Sequence, residues 1–453
     1  MTTGPDESSI ALFTDLYELT MARAYQEGAM DKLAVFELLL RRLPKERGFA
    51  LIAGLDDVLG YLESLRFTQS DLAYLAGLGL FPDDFLRGLE DFRFTGSVMA
   101  MPEGTAAFPG EPILRITAPM REAQLVETFV INQMHYQSLV ATKAARVTLA
   151  ARGKNVVEFG ARRAHGTDAA LKAARCAWLA GFDATSNVQA GKLYGLPVAG
   201  TMAHSFVQAS PDEETAFTLF AGLFPDTTLL VDTYDALASV DRIIALSRKL
   251  GSAFKAGCIR LDSGDLDQLS RACREKLDTA GLSHIRIFAS GDLDEYSIDR
   301  LVSAGAPVDG FGVGTRLVVS KDAPTLEFSY KLVEYAGQGR AKLSPGKAMY
   351  PGRKRVRRFM EHGRMVRDVI CLEGEESYGE ELLREVMRGG VRTQHGRETL
   401  AQCRERAAQQ LAALPDEVRW IHPPLSSKDQ APYRVEVSDV LQQNLARLRS
   451  EYS

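Results

Sequence analysis

The sequence predicts an α/β protein built around an irregular parallel barrel, and three observations predict it. Between residues 156 and 319, short apolar runs alternate with helical windows. The starts of those runs recur at about 25 to 30 residues, the length of one strand-plus-helix unit. Five of the segments then close in charge, histidine or glycine: Val156 to Arg163, Leu196 to His204, Leu229 to Thr233, Cys258 to Asp265 and Ile285 to Asp292. The step from Ala184 to Val198 is too short to hold a full helix, which makes the barrel irregular.

Taken in order, residues 12–27 carry helical periodicity, and 34–40 are apolar, aromatic and β-branched ahead of Pro44, which predicts a strand. Helical spacing returns over 55–65. Strands over 94–101 and 113–116 flank the loop Met101-Pro102-Glu103-Gly104-Thr105, and Pro109-Gly110 marks a turn. One long amphipathic helix is predicted over 121–151, with Leu125, Phe129, Ile131, Met134, Leu139 and Val140 on its buried face. Within the barrel the helical windows include 168–180, 211–220 and 236–249. After 319 the texture is β-rich, with strands over 328–335, 354–360 and 366–372. Neither end holds an evident core of its own. The reading is therefore a barrel domain over 121–325 and a discontinuous α/β domain made from 1–120 and 326–453.

The chain has 453 residues, 45% of them hydrophobic, enough for a large core in two domains. A net charge of -5 provides no basic face for nucleic acid, so an anionic ligand needs a local cluster of cations. No apolar run approaches the roughly 20 residues of a membrane crossing. Residues 1–9 lack the basic and apolar regions of a secretory signal, which predicts a cytoplasmic protein. Five cysteines, Cys176, Cys258, Cys273, Cys371 and Cys403, have no C-x-x-C spacing and read as small buried hydrophobes.

In parallel barrels the reactive groups stand at the C-terminal ends of strands, where loops and helix N-termini converge. One strand ending in Asp is ordinarily a helix cap. Five polar strand ends together call for a ligand. The run Asp309-Gly310-Phe311-Gly312-Val313-Gly314-Thr315-Arg316 offers a Gly-x-Gly-Thr loop whose backbone N–H groups can approach a phosphate. Arg162, Arg163 and Arg260 supply fixed positive charge for carboxylates and phosphates. Asp232, Asp262, Asp265 and Asp292 suit Mg²⁺ held through water, ribose hydroxyls, or salt bridges to those arginines. His204 lies among small residues that leave it accessible, with His165 as the second candidate.

Several motifs occur in order along most of the chain: Thr14-Asp15-Leu16-Tyr17-Glu18-Leu19-Thr20-Met21, Glu158-Phe159-Gly160-Ala161-Arg162-Arg163, Gly200-Thr201-Met202-Ala203-His204-Ser205 and Arg260-Leu261-Asp262-Ser263-Gly264-Asp265. Tyr330-Lys331-Leu332-Val333, Lys342-Leu343-Ser344 and Pro351-Gly352-Arg353-Lys354 complete the set. Together they resemble the nicotinate phosphoribosyltransferase family. The resemblance implies a barrel beside an open α/β sandwich built from both chain ends, and a homodimer with shared sites. It implies formation of nicotinate mononucleotide and pyrophosphate from nicotinate and phosphoribosyl pyrophosphate, a step of NAD salvage. ATP is the implied co-substrate, hydrolysed in a ligase-type reaction through a phosphohistidine at His204.

By the same resemblance, Asp232 and Asp262 form the catalytic sugar and Mg²⁺ side. Nicotinate is held by Arg260, Arg162 and Thr201 between Phe159 and a Tyr17 from the second subunit. Phosphoribosyl pyrophosphate falls to Arg163, Ser290, Gly291, Asp292, Gly312, Gly314 and Thr315. The related nicotinamide enzyme carries an aspartate where this chain has Thr201, and an aspartate there would repel a carboxylate substrate. Cysteines near the C-terminus are too few for the structural zinc of some relatives.

Overall fold

The computed structural model describes residues 10–344, 349–422 and 433–451; the polar run 1–9, on which the cytoplasmic reading rests, lies outside them. Contacts divide the chain into two compact units, Met1–Leu139 with Thr325–Ser453, and Val140–Pro324. The first break falls inside the helix Glu127–Ala151, whereas the sequence reading places it at 120/121. The reason lies in that helix. Val130, Met134 and Leu139 join the apolar core of the first unit, while Lys143 and Arg146 reach Glu295 in the second.

The first unit is organised on a seven-stranded antiparallel sheet, ordered Gln338–Gly339, Phe328–Tyr335, Leu33–Leu40, Pro112–Pro119, Ser97–Ala100, Arg384–Arg388 and Val391–Arg392. Leu33–Leu40 pairs with Pro112–Pro119 on one side and Phe328–Tyr335 on the other, so the sheet itself is assembled from both ends of the chain. Seven of its eight residues are buried. That accounts for its continuous apolar run, since a strand covered on both faces has no polar side to show. Its one charge, Glu37, is buried against Lys354 Nζ at 2.8 Å and accepts the Lys354 backbone N–H. A second sheet in this unit contains Lys354–Glu361 and Arg364–Leu372, antiparallel to each other.

The single helix expected over 121–151 is two, Met120–Leu125 and Glu127–Ala151. Glu18, fully buried on the helix Leu16–Glu27, accepts hydrogen bonds from the Thr128 backbone N–H at 3.1 Å and its hydroxyl at 2.6 Å. A continuous helix would give that N–H to the carbonyl four residues earlier, so its diversion to Glu18 fits the break. Thr14 also donates to Glu18. Within the motif 14–21, Thr14 and Glu18 are therefore structural. Tyr17 points outward, 45% exposed, beside Phe13 at 45% and Leu16 at 51%.

The second unit carries six parallel strands in the order Ala184–Thr185, Asn155–Glu158, Gly310–Val313, Arg286–Ala289, Cys258–Leu261 and Thr228–Leu230. Followed along the chain, each strand lies beside the next as in a barrel, except between 184–185 and 228–230. The strand expected over 196–199 belongs at that gap. It is reduced to one bridge, Thr185 to Val198, held by Thr185 N–H to Pro197 O and Ala199 N–H to Thr185 O, each at 3.0 Å. Pro197 has no N–H to offer and Gly200 follows, so the segment cannot extend the ladder. Ile259 and Leu261 pack into an apolar core with Val240, Ile243, Cys273 and Leu277 from the helices Ala236–Leu250 and Leu266–Thr279. Strand alternation then turns Arg260 to the opposite face.

Candidate active site

Arg260 is the hub. Its Nε donates to Ser290 Oγ at 2.7 Å, Nη1 to Thr201 Oγ1 at 2.9 Å and Nη2 to Asp262 Oδ1 at 2.6 Å. The guanidinium carbon stands 5.5 Å from the centre of the Phe159 ring. Three of its five N–H donors are thereby directed, and two remain for a ligand. Ser290 relays the contact by donating to Asp262 Oδ1 at 2.5 Å. Burial opposes ionisation of Asp262, but the hydrogen bonds from Ser290 and Arg260 outweigh it and hold its carboxyl below the usual range.

Two cavities share this hub. One, of about 420 Å³, is lined by Phe159, Arg162, Arg163, Arg260, Asp262, Ser290, Gly291, Asp292, Gly312, Gly314 and Thr315. The other, of about 380 Å³, is lined by Phe159, Arg162, Ser186, Thr201, Met202, His204, Arg260 and Asp262 among others. Arg162 and Arg163 are exposed in the short 3-10 turn after Asn155–Glu158, and neither pairs with a carboxylate among the described residues. Unpaired cations at a cavity wall suit an anionic ligand. Glu158 fixes the start of that turn by accepting the Gly160 N–H and the Thr185 hydroxyl.

The glycines are required by close approach. A Cβ on Gly291, at φ +95°, would lie 1.9 Å from the Asp262 carbonyl oxygen. One on Gly312 would lie 2.6 Å from the Phe159 ring. Gly312→Ala is expected to displace that ring and to destabilise the protein by about 1–3 kcal/mol, as overpacking does. Urea unfolding tests this, and an unchanged midpoint would place the ring elsewhere.

Asp232 Oδ2 accepts the Asp262 backbone N–H at 2.9 Å and the Ser263 hydroxyl at 2.5 Å, while its Oδ1 is buried without a hydrogen-bond partner. Asp265 has a different role from its neighbours. Its Oδ1 accepts the Gln268 N–H at 3.1 Å and caps the helix Leu266–Thr279, so of the carboxylates in that motif only Asp262 faces the cavities.

His204 is not at a strand end as the sequence suggests. It is the first residue of the helix His204–Ala209. Nδ1 lies 3.1 Å from Thr233 Oγ1, and Nε2 lies 3.8 Å from Asp262 Oδ2. Thr233 escapes the sequence reading, and only its place beside Asp232 hints at it. His165 is exposed and lines neither cavity. Tyr17 belongs to the first unit, while every other candidate lies in the second. Among the described residues no group of three or more His, Cys, Asp or Glu side chains forms a metal cluster, and no helix is long and apolar enough to cross a membrane.

Comparison with known proteins adds family evidence. Residues 12–135 match the model of the nicotinate phosphoribosyltransferase N-terminal domain, and 155–346 match that of the nicotinate phosphoribosyltransferase family. A nicotinate phosphoribosyltransferase of Mycobacterium tuberculosis is 55% identical over 439 residues, covering 97% of this chain and 94% of the relative. One from Bacillus subtilis is 44% identical, covering 84% and 80%. The crystal structure of human nicotinic acid phosphoribosyltransferase is similar at a TM-score of 0.83 and 31% identity, covering 97% of this chain and 100% of that one. That of nicotinate-nucleotide pyrophosphorylase from Pyrococcus furiosus gives 0.74 at 25% identity, over 91% and 97%.

Proposed function

Because the chain belongs to the nicotinate phosphoribosyltransferase family, we propose that it joins nicotinate to the ribose of phosphoribosyl pyrophosphate, releasing pyrophosphate. The product is nicotinate mononucleotide, and the step is that of NAD salvage from nicotinate in the Preiss–Handler pathway. The observation that carries the reading is Arg260, a guanidinium with donors to spare, set against an aromatic face at the junction of two cavities. Its planar fork matches the substrate carboxylate, with Arg162 and Thr201 beside it. Phe159 takes one face of the pyridine.

The ribose 5-phosphate lies along the main chain of Gly291 and Asp292, Gly312, Gly314 and Thr315, with Ser290 and Arg163 completing the binding of phosphoribosyl pyrophosphate. Departure of pyrophosphate leaves positive charge at the ribose C1, and Asp262 and Asp232 stabilise it. These two carboxylates also fit Mg²⁺, since the buried Asp232 Oδ1 is unpaired and Mg²⁺ needs one or two carboxylates besides water and substrate oxygens. When bound, Mg²⁺ neutralises charge on the leaving pyrophosphate. His204 takes the γ-phosphoryl group of ATP as ADP leaves, and water later cleaves the N–P bond to release phosphate. Thr233 holds its ring by Nδ1, which leaves Nε2 for the attack. That makes the enzyme ATP-coupled and ligase-type. A cytoplasmic location agrees with five buried cysteines that form no disulfide among the described residues.

The functional unit is a homodimer in which Tyr17 completes the partner's pyridine site. The exposed apolar row Ile10, Phe13, Leu16 and Tyr17 supports this interface. Mixing Tyr17→Ala subunits with His204→Ala subunits is expected to regenerate one intact site per mixed dimer. ATP-stimulated activity that fails to return after mass analysis has shown exchange would rule out a shared site. The reaction is tested by incubating the chain with nicotinate, phosphoribosyl pyrophosphate and Mg²⁺ and reading the products by mass. Nicotinate mononucleotide with an equal amount of pyrophosphate is expected; no product with or without ATP would overturn the assignment.

A further inference from the structure

A phosphate cradle with a carboxylate on its wall needs something to mask that charge. Asp292 lines the larger cavity with its side chain 57% exposed. Its backbone is held at φ +51°, a left-handed conformation unusual for a residue with a Cβ. Arg316 meets it from the short helix Thr315–Val318 on the other side of the cradle, one residue after Thr315. Arg316 Nη2 donates to Asp292 Oδ2 at 2.5 Å, and Nη1 donates to Asp294 Oδ2 at 2.6 Å.

Asp294 is the anchor of this fork. Its side chain is only 9% exposed, and its Oδ1 caps the helix Glu295–Ser303 by accepting the Ser297 N–H at 2.8 Å, with the Ser297 hydroxyl closing the capping box. The helix start is fixed in turn by Glu295, fully buried against Lys143 and Arg146. One arm of Arg316 is thus tied to a rigid helix start. The other reaches the exposed carboxylate at the cavity. The Arg316 hydrogen bond holds the Asp292 carboxyl below its ordinary range, so Asp292 is an anion at neutral pH.

We infer that Arg316 is a positioning residue for phosphate binding: it masks the negative charge of Asp292 and ties together the two segments that form the cradle. The inference rests on the phosphoribosyl reading given above. Without Arg316, a phosphate would meet an unmasked carboxylate across a few ångströms, a repulsion that a partly solvated site does not screen away.

The test uses the full chain and two readouts. Ribose 5-phosphate binding is measured by calorimetry, and the KM for phosphoribosyl pyrophosphate is compared with kcat. Arg316→Ala is expected to weaken ribose 5-phosphate and raise that KM by about 10- to 100-fold. The KM for nicotinate stays near its original value, and added salt shrinks the loss. Adding Asp292→Asn to Arg316→Ala is expected to restore most of the affinity, because no charge is left to mask. Arg316→Lys, which keeps the charge but loses the fork, serves if the alanine variant does not fold, and is expected to remain within about threefold of the original. Unchanged binding in Arg316→Ala, or a double variant no better than the single one, would overturn the inference. So would an Arg316→Lys loss as large as that of alanine. An original protein that binds no ribose 5-phosphate would instead remove the phosphoribosyl reading on which the inference stands.

Discussion

His204→Asn is expected to abolish ATP hydrolysis and the stimulation of turnover by ATP, by about three orders of magnitude or more, while a slow phosphoribosyl transfer survives. The two activities separate because they use different atoms. In the proposed mechanism the phosphoryl acceptor is the imidazole, whose Nδ1 lies 3.1 Å from Thr233 Oγ1. The same proposal assigns positioning at the ribose C1 and charge stabilisation there to Asp262, Asp232 and the glycine loops, which the substitution leaves in place. γ-labelled ATP should leave an acid-labile, base-stable label on the peptide that contains His204. Full labelling of His204→Asn, or ATP stimulation that survives the change, would show that another residue takes the phosphoryl group.

Arg260→Lys is expected to cost about 1.5–3 kcal/mol of nicotinate binding, roughly 10- to over 100-fold, without unfolding the protein. An ammonium cannot hold Ser290, Thr201 and Asp262 at once and still present two coplanar donors to a carboxylate. It also loses the flat face toward Phe159. Calorimetry with nicotinate and a thermal melt check both parts. Unchanged nicotinate affinity would remove Arg260 from the pyridine pocket.

The barrel strands are legible where each is a short apolar run that stops at charge or glycine, and Asn155–Glu158, Cys258–Leu261 and Arg286–Ala289 lie where that pattern puts them, whereas Gly310–Val313, which the sequence presents only as part of a glycine loop, is a strand. The sheet of the first unit is less so. Its order depends on pairing Leu33–Leu40 with Phe328–Tyr335, nearly 300 residues apart in the chain, and no local pattern encodes that. The segment at 196–199 shows apolar character overruled by Pro197. The helices Gln69–Gly77 and Asp83–Glu90 have no counterpart in the sequence reading, being short and bounded by turns.

At the site, residue types at strand ends announce themselves, whereas partners do not. Asp262 and Asp265 look alike in sequence. Only the structure shows the first bound by Arg260 and Ser290 and the second spent on a helix cap. Thr233 and Arg316 gain their roles from His204, Asp292 and Asp294, residues 22 to 29 positions away.

The most direct test of the account is the initial rate of pyrophosphate release from phosphoribosyl pyrophosphate, measured with nicotinate or nicotinamide as acceptor, each with and without ATP. A strong preference for nicotinate, set by Arg260 and Thr201, is expected, with a higher rate when ATP is present. A preference for nicotinamide, or a nicotinate rate indifferent to ATP, would contradict it.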